Sequence, residues 1–133
     1  MNTVLLDTNI ISFVIKGDTR ATLYDSCLVN QRLAISFMSV AELFQWAAIR
    51  QWGPTRIKEL EERLKTYLVF PFDIELCRVW GQVRALSQSK GRPISPQDAW
   101  IAATALLHKI PLVTHNPLDF TAISTLQIIT VQG

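Results

Sequence analysis

Short apolar runs separated by amphipathic stretches organise this chain. Val4-Leu5-Leu6, Leu33-Ala34-Ile35-Ser36-Phe37, Tyr67-Leu68-Val69-Phe70, Pro111-Leu112-Val113-Thr114 and Ile128-Ile129-Thr130-Val131 are rich in β-branched and large apolar residues. They lack the clean alternation of a strand with one wet face, so they read as five strands covered on both sides. Between them, residues 39–51, 55–66, 75–87 and 96–108 carry helical patterns. This alternation predicts an α/β fold, with a mostly parallel sheet and helices on both faces. In open sheets of this kind, ligands bind beyond the carboxyl ends of the strands.

Length and composition narrow the picture. At 133 residues the chain suits one domain, 1–133, built on one core. Hydrophobic residues make up 49% and charged residues 18%, which excludes a disordered chain. No apolar run approaches the roughly 20 residues of a membrane span. The stretch Met1 to Asp7 lacks a basic segment and a small-residue cleavage site, so no leader is read there and the cytoplasm is the expected location. Cys27 and Cys77 stand far apart without zinc-type spacing and read as buried or half-buried thiols. The net charge of +2 is compatible with a polyanionic substrate but does not argue for one.

The acidic residues change the picture more. Asp7 follows the first strand, Glu42 lies five residues past the second, and Asp119 comes after the fourth. Asp98 opens the helix that feeds the fourth strand. A plainer reading exists for three of them. Ser39-x-x-Glu42 and Ser95-x-x-Asp98 have the form of capping boxes, and Asn116-Pro117-Leu118-Asp119 repeats the pattern with Pro at the first helical position. Taken singly, each acid reads as a capping residue. Asp7 does not, because it ends a strand inside the sheet, where an uncompensated carboxylate costs several kcal/mol or shifts its pKa. As a set, three or four carboxylates converging in one cleft repel one another unless a hard divalent cation joins them. With no activated Ser or Cys and no phosphate loop, such a site suits phosphodiester hydrolysis.

Four motifs then carry a family resemblance. Asp7-Thr8-Asn9, Ser39-x-x-Glu42-Leu43, Asp98-x-Trp100-Ile101-Ala102-Ala103 and Thr114-x-Asn116-x-x-Asp119-Phe120 resemble, in order and over nearly the whole chain, the PIN-domain family, and most closely its VapC-type toxins. The resemblance implies a three-layer α/β/α sandwich and endoribonuclease activity dependent on Mg²⁺ or Mn²⁺, with one or two ions. It also implies an RNA substrate, a cognate antitoxin that covers the site, and a homodimer or larger toxin–antitoxin complex. Asp7, Glu42, Asp98 and Asp119 would form the acidic quartet, with Asp7 and Asp98 the leading metal ligands. Thr8, Asn9, Thr114 and Asn116 would support it. Asn116 stands where some members carry a further Asp, which would loosen a second ion.

Several residues outside the quartet have two readings. Lys16, Arg84, Lys90 and Arg92 lie near the acids in sequence and would hold an RNA backbone, or else belong to ordinary solvated surface. Trp46, Trp52, Trp80 and Trp100 are read as packing residues before base-stacking ones. His108 and His115 read as structural, with His115 within reach of a phosphate. Phe44, Trp46, Ala47, Ile49 and Trp52, with the run Ile10 to Ile15, exceed what one helix face buries and predict a groove for a dimer mate or an antitoxin helix. Two other functions stand beside the nuclease. One is a PIN-like domain that only binds RNA or protein; the other is an Asp-dependent phosphatase using Asp7 as nucleophile. The phosphatase signature wants a second Asp at position 9, which is Asn.

Overall fold

The five apolar runs form one sheet. A computed structural model describes residues 2–131; Met1, which heads the N-terminal stretch read above, lies outside them, as do Gln132 and Gly133. Strands β1 (Thr3–Leu6), β2 (Arg32–Ser36), β3 (Leu68–Phe70), β4 (Leu112–Val113) and β5 (Ile128–Ile129) stand in the order β3-β2-β1-β4-β5. Every pairing is parallel, with Leu5 opposite Ala34 on one side and Leu112 on the other. The last two strands are shorter than their apolar runs, although Thr114 still donates its N–H to Ile129 at 3.0 Å. Phe37 leaves β2 and opens a helix, because the Ser36 side chain accepts the Met38 N–H at 3.0 Å and caps it.

Among the described residues, six α-helices accompany the sheet: α1 (Thr8–Lys16), α2 (Asp25–Leu28), α3 (Phe37–Ile49), α4 (Pro54–Leu64), α5 (Ile74–Ser89) and α6 (Pro96–His108). The last four match the helical patterns of the sequence to within two residues. The first was not legible as a helix. Its sequence, TNIISFVIK, is rich in β-branched residues of modest helix propensity. It is helical because it is capped at both ends and buried on one side. Gly17, at φ +66°, closes it in the left-handed conformation that glycine tolerates best, and Ile10 and Ile11 are fully buried.

Adjacent side chains on β1 point into different layers. Leu6, with Val4, Ile35 and Val113, packs beneath Ile10, Phe13, Leu43, Ala47, Leu60 and Leu64 of α1, α3 and α4. Leu5, with Ala34 and Leu112, packs beneath Leu76 and Val83 of α5 and Ile101, Ala102 and Ala105 of α6. The result is a three-layer α/β/α sandwich in which the small alanines let α6 lie close to the sheet. Full burial of each Leu or Ile stabilises the fold by about 1.5–3 kcal/mol.

The apolar surplus divides. Ile10, Ile11, Phe13 and Ala47 are core, whereas Phe44 and Ile49 stay on the surface, Ile49 at 70% exposure. Trp80 and Trp100 stack on each other with centroids 4.9 Å apart, as packing residues do. Cys27 is half-buried, but Cys77 is exposed on α5, against the expectation of a covered thiol. Among the described residues, no helix is long and apolar enough to cross a membrane.

Candidate active site

The carboxyl end of β1 is the middle of the sheet, and Asp7 stands there. It is 6% exposed. Its Oδ1 accepts the Thr8 N–H at 2.8 Å, and its Oδ2 accepts the Thr114 hydroxyl at 2.6 Å. Asp7 is also the N-cap of α1, so capping explains it after all, contrary to the expectation that it was the acid without a local role. Thr114 is fixed in turn, since its Oγ1 accepts the Asn116 backbone N–H at 3.1 Å.

Glu42 reaches the same region from α3. Thr8 Oγ1 donates to Glu42 Oε1 at 2.9 Å, and Ser39 Oγ lies 2.8 Å from that same hydroxyl. A threonine has one hydroxyl proton, so Ser39 is the donor to Thr8, and the chain of bonds runs Ser39 to Thr8 to Glu42. Ser39 is therefore not the cap it resembles; Ser36 caps the helix, and Ser39 sits inside it, one turn from Glu42. Asp98 does follow the capping pattern, its N–H bonded to Ser95 Oγ at 3.1 Å. Asn116 precedes the 3₁₀ turn Pro117–Phe120 but makes no side-chain cap bond. Asp119 lies in that turn and is exposed.

The electrostatics show that these four residues share one region. Burial is the main cause that raises the Asp98 carboxyl from 3.8 to about 6, and the charges of Asp7 and Asp119 add to it. Burial likewise raises Asp7, opposed by the bonds from Thr114 and Thr8 and aided by Glu42 and Asp119. Glu42 is raised by burial, opposed by Thr8 and aided by Asp98. Three carboxyl groups thus resist ionisation, as acids buried near one another do.

A hard divalent cation fits this donor set. The groups are oxygens, their ionised forms are mutually destabilising, and Asn9 Oδ1, in the first turn of α1, is buried without a hydrogen-bond partner. Among the described residues, no three His, Cys, Asp or Glu side chains form a ready-made cage for an ion. Mg²⁺ does not require one, because it usually keeps several waters and takes only one or two carboxylates.

Three of the four basic residues have contacts away from the acids. Lys90 Nζ donates to the Ala122 carbonyl at 2.9 Å, Lys16 lies 5.9 Å from the Trp46 ring centroid, and Arg84 lies over Trp80 with Nη1 buried and unpaired. Arg92 is exposed. Among the described residues, none of them forms an ion pair with the quartet. Both histidines are packed: His108 stacks on Phe70 at 3.9 Å, and His115 Nδ1 is hydrogen-bonded to the Tyr24 hydroxyl at 2.5 Å. Sequence reasoning passed over Tyr24, which carried no motif to mark it.

A parallel sheet sandwiched by helices, with carboxylates gathered at its carboxyl edge, defines an α/β/α protein with an acidic candidate site. The PIN domain family model matches residues 4–124. The chain belongs to the PIN-domain family. It is 34% identical over 125 residues to "Ribonuclease VapC1" of Haemophilus influenzae (strain R2866), covering 92% of this chain and 93% of that one. It is 30% identical to "tRNA(fMet)-specific endonuclease VapC" of Shigella flexneri, again covering 92% and 93%. A solved structure, that of VapBC-1 from nontypeable Haemophilus influenzae, is similar with a TM-score of 0.82, 31% identity and 98% coverage of both chains.

Proposed function

We propose that this chain is a metal-dependent endoribonuclease and the toxin of a toxin–antitoxin pair. The observation that carries the reading is the clustered acid site, in which burial and neighbouring acids raise Asp7, Glu42 and Asp98 together. The relatives' names, ribonuclease and tRNA-specific endonuclease, supply the substrate class.

Asp7 and Asp98 hold the cation, Mg²⁺ or Mn²⁺, with Glu42 and Asp119 completing the acidic edge. Bound there, the cation would offset charge on the phosphate oxygens and orient the attacking water. Thr114 and Thr8 keep Asp7 in one rotamer, and the Ser39–Thr8 pair does the same for Glu42. These outer bonds aim the carboxylates before substrate arrives.

One PIN-type domain, residues 1–133, carries the activity, and it works in the cytoplasm as a homodimer or within a larger complex. The antitoxin takes the trough beside α1 and α4. A hollow of about 300 Å³ lined by Ile15, Trp52, Leu60 and Arg63 adjoins one of about 700 Å³ lined by Val14, Leu28, Tyr67 and the same Arg63. An apolar floor with basic rims suits the apolar stripe of a helix with acidic flanks.

The test is incubation of the purified protein with total RNA in Mg²⁺, Mn²⁺ or EDTA, beside Asp7→Asn and Asp98→Asn. Cleavage should need the cation. Partners of a metal ligand are already worth about 10–100-fold, so loss of a ligand should cost on the order of 100-fold or more. Cleavage that survives EDTA, or either substitution, overturns the reading.

A further inference from the structure

The acidic cleft has a neighbour. At the carboxyl ends of β4 and β5 lies an open pocket of about 740 Å³, walled by His115, Asn116, Pro117, Leu118 and Asp119 on one side and Thr130 and Val131 on the other. That is within the roughly 300–1,000 Å³ typical of ligand pockets. The two places are joined by hydrogen bonds, since Asn116 in the pocket wall donates its N–H to Thr114 Oγ1 at 3.1 Å and the Thr114 hydroxyl donates to Asp7 Oδ2 at 2.6 Å. An RNA phosphate at the acids therefore has this pocket next to it.

The lining decides what the pocket accepts. It contains no Lys or Arg, and its one acidic side chain is Asp119, so it offers a second phosphate no counter-charge. What it offers is an apolar surface, Pro117 and Leu118, the latter 82% exposed, beside the hydrogen-bonding groups of Asn116, Thr130 and His115. A flat, uncharged ring with a polar edge matches that lining.

The pocket is also braced. Tyr24 is fully buried, and its hydroxyl lies 2.5 Å from His115 Nδ1 and 3.3 Å from the Val131 carbonyl. His115 comes from the β4 side and Val131 from the β5 side, so one hydroxyl ties the opposite walls together. Phe13 and Tyr24 hold the imidazole edge-on, at 5.3 and 5.7 Å between centroids. The ring cannot swing freely, and Nε2 remains for a ligand.

We propose that this pocket receives one unpaired nucleobase of the RNA, adjoining the phosphate at the acids. Pro117 and Leu118 meet its face, Asn116 and His115 read its edge, and Tyr24 is a positioning residue. This subsite rests on the nuclease reading above, and two arms of the test keep the two apart. In the first, the purified chain with Mn²⁺ cleaves a randomised single-stranded RNA pool and the cut sites are sequenced. The expected result is a base preference at one fixed offset from the cut, which falls about tenfold in Leu118→Asp and Thr130→Val while cleavage continues. An unchanged preference overturns the subsite; no cleavage by the unaltered chain overturns the nuclease. In the second arm, the four neutral ribonucleosides are titrated in EDTA while NMR follows the His115 ring and the Leu118 methyls. At least one nucleoside should shift both sets of signals saturably, and Tyr24→Phe should move the His115 Nδ1 resonance and weaken that nucleoside several-fold. If no nucleoside shifts them, the subsite fails whatever the first arm shows.

Discussion

At the scale of single residues, the site depends on hydroxyl groups that carry no charge. Thr114 is fully buried and donates its only proton to Asp7 Oδ2. Thr114→Val keeps the shape and removes the donor, so it should weaken Mn²⁺ binding about 10–100-fold, read by calorimetry, while the fold persists. Asp98 gives a second prediction. Its carboxyl, raised from 3.8 to about 6, holds a proton that the unfolded chain releases. Stability of the metal-free protein is therefore highest at low pH on this account and falls as pH rises through that window. Asp7 and Glu42 shift in the same direction. Asp98→Asn should melt on the order of 2–4 °C above the parent at pH 7 and close to it at pH 4, in thermal scans with EDTA. Saturating Mn²⁺ should reverse the order, because a cation stabilises the ionised site.

At the scale of elements, caps decide where the acids stand. The Ser95 side chain accepts the Asp98 N–H and sets the first turn of α6. Ser95→Ala should cost about 1 kcal/mol in denaturant unfolding and lower cleavage as well, since the same turn aims Asp98. The four later helices and all five strands were legible because their apolar periods and turn residues agree with their burial. The α1 helix was not, because its run of Ile and Val has modest helix propensity and reads equally as a strand. Ser39 shows the opposite failure. Its spacing from Glu42 looks like a cap, yet Ser36 takes that role, and only the packing of α1 against α3 reveals that Ser39 serves Thr8. The quartet itself was readable as motifs, whereas the placement of Lys16, Lys90 and Arg84 against partners elsewhere required the fold. Tyr24 was invisible for the same reason, since its partner is 91 positions away.

At the scale of the whole molecule, the sheet separates two apolar layers that share strands but not side chains. Ile35 belongs to the layer under α1, α3 and α4, and Ile101 to the layer under α5 and α6. Ile35→Val and Ile101→Val should each cost about 0.5–1.5 kcal/mol in urea unfolding. The double variant should lose the sum to within about 0.5 kcal/mol, because the two side chains belong to separate apolar clusters. A clear departure would show that the two layers melt as one packed unit rather than as separate contacts.

The bond between Asp7 and Thr114 spans 107 positions, and it has a consequence for when the acidic site comes together. During synthesis the first carboxylate emerges from the ribosome long before the strand that supplies its partner. β1 must wait for β4 to complete its pairing, and Asp98 and Asp119 also arrive late. A partly made chain therefore has no assembled site. On the nuclease reading, the RNA being translated is protected by chain order itself until the segment from Asp98 to Asp119 has been made.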